Sequence, residues 1–197
     1  MKIYDVSQEV FSCEVFPGDP SPRKDILTSM CNGDMYNLCA FYMCAHNGTH
    51  IDAPLHFLND GKSIDQISLE KTVGYAYVAE HNGSIREADM VNIIDKAKSV
   101  NPESAKKILI KGDATLSIEA AQILVNEGVY LYGNESQTVG AMDALMKTHQ
   151  LMLGAEIVLL EGIRLCGVPE GAYLMSAAPL NLGGSEGAPC RAILIEL

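Results

Sequence analysis

Tryptophan is absent from the 197 residues, aromatic side chains make up only 6%, and Lys plus Arg number 14 against 25 Asp plus Glu. Each shortage excludes something. With a formal net charge of −11 and no basic cluster, the chain cannot neutralise a phosphate backbone, so no nucleic-acid partner is expected. The acidity is equally no evidence for an acidic substrate. No apolar run is long enough to span a bilayer, and Met1-Lys2-Ile3-Tyr4-Asp5-Val6 lacks the apolar stretch of a secretory signal, so the expectation is a cytoplasmic protein with no membrane partner. None of the six cysteines stands in C-x-x-C spacing, which excludes a zinc knuckle and a redox pair and predicts small buried hydrophobes. Cys44 shares strand parity with His46; it either borders that residue's site or, the favoured reading, packs in the core. No linker, repeat or low-complexity tract interrupts the chain, so one domain over residues 1–197 is expected.

What the chain does have is His46-Asn47-Gly48-Thr49-His50-Ile51-Asp52-Ala53-Pro54-Leu55-His56, which holds three of its five histidines. A helix carrying His46 and His50 four residues apart would resemble a zincin, but Asn47 stands where that motif needs Glu. Gly48, Thr49, Ile51 and Pro54 also disfavour a helix interior. In an extended segment, alternation puts His50, Asp52 and His56 on one side and Ile51 and Leu55 on the other, with His46 arriving across the Gly48 turn. Imidazole and carboxylate together suit zinc, manganese or iron rather than calcium.

Around this motif the pattern predicts a strand at residues 2–6 and a hairpin of residues 26–31 and 35–45 turning at Asn32-Gly33, its second arm leading into His46. Strands are expected at 75–80, 107–111, 129–133 and 157–160. Ser84-Ile85-Arg86-Glu87 reads as a capping box for a helix to about residue 99, and a second helix is expected over 117–128. The N-terminal third and the C-terminal residues 173–182 and 191–197 look mainly β, so the fold class is mixed α/β. In a helix expected over 141–153, Met142, Leu145, Met146 and His149 form one apolar stripe, which turns His149 inward, where a histidine needs a partner. Glu161 ends a buried strand. Taken singly, neither residue marks a site.

The motif resembles the signature of the cyclase family of metal-dependent hydrolases, which includes bacterial kynurenine formamidases (arylformamidases) and isatin hydrolases. The likeness extends to Tyr4-Asp5-Val6-Ser7, Pro17-Gly18-Asp19, Asp60-Gly61-Lys62, Asp65-Gln66-Ile67, His149, Glu161, Ala178-Pro179-Leu180 and Gly187-Ala188-Pro189-x-Arg191-Ala192. It implies a swivelling β/β/α domain, a dimer or tetramer, and a divalent-metal site, usually two zinc ions; some relatives use a single ion, often manganese. By position, His46, His50 and Asp52 would hold the first ion, and His149 and Glu161, with Asp52 or a solvent oxygen as bridge, the second. His56 matches the family's catalytic histidine, which moves a proton and is not a tight ligand.

The chain departs from the family where Glu135 replaces the Asp before Ser136, where Gly140 replaces a later Asp, and where Gly112-Asp113-Ala114-Thr115 follows Lys111. Phe16, Phe57 and Tyr42 are the aromatic candidates for an aryl substrate. The leading expectation is hydrolysis of a small aryl amide, N-formylkynurenine first; a lactam, lactone or other small amide is the alternative. A metal-dependent binding protein without turnover is the third reading, against which the retention of His56 argues.

Overall fold

The computed structural model describes residues 1–196. The N-terminal third is mainly β: β1 (Lys2–Asp5), a hairpin of β2 (Arg23–Thr28) and β3 (Leu38–Tyr42), and the short β4 (His50–Asp52). The middle alternates through β5 (Val73–Glu80), β6 (Gly83–Ile85), α1 (Glu87–Val100), β7 (Lys107–Lys111), β8 (Ala114–Leu116), α2 (Ile118–Asn126), β9 (Leu131–Asn134), α3 (Leu145–Gly154) and β10 (Val158–Glu161). The chain returns to β structure in β11 (Gly171–Ser176), β12 (Gly187–Pro189) and β13 (Ile193–Glu196), while Leu197, expected in the last strand, lies outside the described residues.

Nine strands form one mixed sheet in the order β1-β13-β11-β5-β7-β9-β10-β4-β12. β5, β7, β9 and β10 run parallel, joined by helical crossovers, and antiparallel strands flank them. Strand alternation splits the core in two. Tyr77, Ala79, Ile108, Ile110, Tyr132 and Leu159 face the helices, meeting Met90, Ile94, Leu124 and Met152. Val78, Leu109, Leu131, Val158 and Leu160 face the opposite side, against Ile51, Ile163 and Leu194. Burial on both faces is why Ile-Leu-Ile and Val-Leu-Leu read as unbroken apolar runs. Leu109, 0% exposed, sits in the central strand β7, and Leu109→Ala is expected to cost about 2–5 kcal/mol, read as a lower denaturant midpoint at unchanged slope.

Several local expectations are corrected. α1 is capped at Arg86, whose backbone N–H donates to Asp89 at 2.9 Å, because Ser84 is already committed to the β6 pairing with β8. α2, expected over 117–128, starts after Ser117, whose Oγ accepts from the Ala120 N–H at 3.2 Å, and ends at Asn126. The β2–β3 hairpin forms, but its turn is not a two-residue Asn32-Gly33 loop. Asp34 and Asn37 side chains accept from the backbone N–H groups of Ser29 and Met30, and these local bonds favour a longer turn. The hairpin is a separate two-stranded sheet ending at Tyr42, so β3 does not carry His46. α3 begins only at Leu145, which leaves Met142 outside the helix and exposed; Met146, inside it, faces solvent, and Thr148, His149, Met152 and Leu153 form the buried face. The cysteines are not core residues: Cys31, Cys39 and Cys166 are exposed and the other three half-buried. Among the described residues, no helix is long and apolar enough to cross a membrane.

Candidate metal centre

β10 ends in Glu161, and β4 lies antiparallel beside it with His50 opposite Glu161 and Asp52 opposite Leu159. Leu159 packs on the helix side of the sheet while Ile51 and Leu160 pack on the other, so alternation turns His50, Asp52 and Glu161 toward the helices. There α3, which leads into β10, delivers His149 from its buried face. The four groups therefore meet at the carboxyl end of a parallel strand, where open α/β sheets place their ligands.

His46 and His56 arrive by other means. His46 is held in a turn in which the Asn47 side chain accepts from the Cys44 N–H at 2.8 Å and Gly48 adopts φ 67°. His56 stands on a 3-10 turn, Pro54–His56, and not on continued strand alternation, because Pro54 cannot extend the ladder. Thr49 ties the motif to β10: its hydroxyl donates to Gly162 O at 2.8 Å and accepts from the Gln8 N–H at 2.9 Å.

Backbone carbonyls set the histidine tautomers. His50 Nδ1 donates to Gly48 O at 3.0 Å and His149 Nδ1 to Leu145 O at 2.8 Å, which turns each Nε2 toward the carboxylates. His50 Nε2 lies 3.3 Å from Asp52 Oδ1 and 3.4 Å from Glu161 Oε2, and His149 Nε2 lies 3.4 Å from Glu161 Oε1. His46 Nδ1 is 2.9 Å from Asp52 Oδ1. Asp52 Oδ2, Glu161 Oε1 and His50 Nε2 are buried without a hydrogen-bonding partner in the protein. Buried carboxylates left unpaired are costly, and such a set is the chemistry of a cation site.

Two groups could each hold an ion, His46 with His50 and Asp52, and Asp52 with His149 and Glu161, the donor atoms within each lying within 4.8 Å of one another. Asp52 belongs to both. Burial opposes ionisation of Asp52, yet the hydrogen bond with His46 and the adjacent His50 imidazole hold it well below the usual carboxylate range. Burial likewise opposes the His50 imidazolium, but Asp52 and Glu161 push its pKa up to about 10. His56 differs: burial, against the pull of Asp52, lowers its pKa, so it is neutral at neutral pH. His56 Nε2 stands 4.0 Å from Asp52 Oδ2, and its ring stacks on His46 at 4.0 Å between centroids.

His46, His50, His56, His149 and Glu161 line a cavity of about 410 Å³ whose walls include Phe16, Asp19, Cys44, Phe57, Gln137 and Glu186. Phe16 and Phe57 thus face the site as expected, whereas Tyr42 does not line it. Cys44 borders the cavity, its Sγ 3.9 Å from Asp19 Oδ2, so the favoured core-packing reading is overturned. Glu135 turns the other way, accepting from the Gly112 and Leu165 N–H groups at 2.8 Å, so the family departure there supports a loop and does not face the cavity. Glu186 and Gln137 went unnoticed in the sequence. Glu186 Oε1 lies 3.3 Å from His46 Nε2, at ion-pair distance but off the line of a hydrogen bond. Beside it, a Cβ at Gly187 would come within 2.7 Å of His46 Cε1. Gly187→Ala is therefore expected to displace the His46 ring and weaken divalent-metal binding roughly 10–100-fold in a chelator competition.

Residues 4–141 match the family model described as putative cyclase. The chain is 32% identical to a kynurenine formamidase of Salinibacter ruber, over 98% of this chain and 97% of that one. A solved structure described as a potential metal-dependent hydrolase with cyclase activity superposes with a TM-score of 0.81 at 27% identity, covering 98% of this chain and 96% of the other. Isatin hydrolase A from Labrenzia aggregata shares the fold, with a TM-score of 0.81 at 20% identity over 98% of this chain and 93% of its own.

Proposed function

The chain belongs to the cyclase family, and on that premise we propose that it is a metal-dependent hydrolase of small amides, acting on N-formylkynurenine to release kynurenine and formate. The observation that carries this reading is the pair of donor groups sharing the buried Asp52 beside the cavity, with His56, a member of neither group, 4.0 Å from Asp52 Oδ2. The donor set fits a divalent ion: His46, His50 and Asp52 would hold one, and Asp52, His149 and Glu161 a second. Zinc is proposed, with manganese as the alternative.

A divalent ion bound there lowers the pKa of water toward about 7 and polarises a carbonyl. The chain's own residues supply the rest. His56, neutral, accepts the proton from the attacking water and returns it to the departing amine nitrogen. Gly48 O and Leu145 O keep His50 and His149 in the tautomer that offers Nε2 to the site. Phe16 and Phe57 give an aryl ring two apolar faces, and a cavity of about 410 Å³ admits a substrate of small-molecule size. The same walls admit a fused planar lactam, which makes cyclic amides the second substrate class.

The test is metal analysis of the purified protein followed by hydrolysis of N-formylkynurenine, isatin and simple lactams. Turnover of N-formylkynurenine above the others supports the proposal. No turnover of any by fully metallated protein replaces it with a binding role.

We place the protein in the cytoplasm as a homodimer or homotetramer. What supports assembly is the β2–β3 arm, which leaves Met30, Met35, Tyr36, Leu38 and Phe41 exposed, Met35 by 93%. A lone two-stranded hairpin is marginal in water, and clustered apolar exposure marks a contact surface. Sedimentation is expected to show a dimer or tetramer, and Met35→Asp combined with Phe41→Asp is expected to shift it toward monomer at micromolar concentration.

A further inference from the structure

His56 is held differently from the other histidines of the cavity. His50 and His149 are each oriented by an Nδ1 hydrogen bond to a backbone carbonyl, at 3.0 and 2.8 Å, and His46 by one to Asp52 at 2.9 Å. The carboxylate oxygen nearest to His56, Asp52 Oδ2, stands 4.0 Å from Nε2, beyond hydrogen-bond reach, and among the described residues no other group bonds the ring. A proton-carrying histidine is ordinarily aimed by such a bond. Ring packing takes its place here. His56 stacks on His46 with centroids 4.0 Å apart and planes 25° apart, and Phe57 meets it edge-on, centroids 4.5 Å apart at 83°.

Phe57 is itself anchored. Its N–H donates to Pro54 O at 3.3 Å, closing the 3-10 turn, and its ring packs against the helix-side core. That ring also lies against His149, centroids 4.4 Å apart and planes tilted by 30°. The His56 and His149 rings are 6.4 Å apart, and Phe57 touches both. We propose that Phe57 is a positioning residue for His56, bracing its imidazole against that of His149. The inference rests on the reading of His56 as the proton carrier and deepens it, since a misplacement of about 1 Å can cost roughly 10²-fold in rate. A plain wall for the substrate's aryl ring would act through KM, and a general packing role through stability and metal content. Positioning acts through kcat, and only while His56 is present.

The experiment is a double-mutant cycle on zinc-loaded protein: wild type, Phe57→Leu, His56→Ala and the pair, with Phe57→Tyr beside them, on whichever of N-formylkynurenine and isatin the wild type hydrolyses. Leucine keeps an apolar wall but presents no ring to either imidazole; tyrosine keeps the ring. Phe57→Leu is expected to keep its zinc and Tm and to lose roughly 10–100-fold in kcat with KM within about threefold, while Phe57→Tyr stays near wild type. In the His56→Ala background the same leucine is expected to change kcat by less than about threefold. Equal losses in both backgrounds, a loss carried by KM, or wild-type kcat in Phe57→Leu overturns the inference and leaves His56 as the proton carrier. Should Phe57→Leu lose its zinc, Phe57→Met takes its place, and loss from both shows a structural role and overturns the inference as well. Wild-type turnover by His56→Ala, or no turnover of either substrate by wild type, removes the underlying reading and this one with it.

Discussion

Asp52→Ala is expected to abolish metal binding and reduce turnover to background. Asp52 is 1% exposed and is shared by both candidate donor groups. Its Oδ1 stands 2.9 Å from His46 Nδ1 and 3.3 Å from His50 Nε2, while Oδ2 lies 3.8 Å from His149 Nε2. Deleting the carboxylate removes one donor from each group at a stroke, and the remaining pairs, two imidazoles in one and His149 with Glu161 in the other, are below the three protein ligands a catalytic zinc site uses. A ligand at about a thousand times its Kd stabilises a fold by about 4 kcal/mol, so added zinc should raise the Tm of wild type and leave that of the variant unmoved. Elemental analysis alongside the thermal scan checks both. A variant that kept stoichiometric zinc would remove Asp52 from the centre.

His56→Ala is expected to do the opposite: to keep its metal and lose turnover by roughly 10²–10⁴-fold, the usual worth of a positioned proton carrier. The ring lies farther from the carboxylates than those of His46, His50 and His149, and it is the one of the four in which the carboxylates do not outweigh burial, so its pKa is lowered while the others are raised. Since it also stacks on His46, His56→Gln should be measured beside it, because glutamine keeps much of the volume. Metal content and steady-state rates taken on the same preparation decide the matter. Wild-type turnover in a metal-replete variant would end the assignment.

How much of this was legible in the sequence depends on the range of the interaction concerned. Strand alternation from His50 to Asp52 is local and was readable. So was the inward face of α3 at His149, but the stripe does not run through Met142, which precedes the helix, or Met146, which lies on its exposed face. The resemblance joined His149 and Glu161 to the motif; no local period could, because the β4–β10 register pairs residues more than a hundred positions apart. Alternation failed at His56, where Pro54 replaces the strand with a 3-10 turn. Glu186 and Gln137 sit in irregular segments whose side-chain directions follow from tertiary contacts, so polar residues there look like any other loop. The hairpin was recognisable by its Asn-Gly pair, but the capping by Asp34 and Asn37 that reshaped its turn was not anticipated.

The place of β4 in the sheet has a consequence for biosynthesis. β4 lies between β10 and β12, so the motif that emerges first from the ribosome is seated only by strands made near the end. At a typical elongation rate of about 5–20 residues per second, the histidines wait on the order of ten seconds or more before their neighbours exist. During that interval the nascent chain carries the candidate donors of β4 without the strands that seat them, so the two donor groups can close only after β10 has been made.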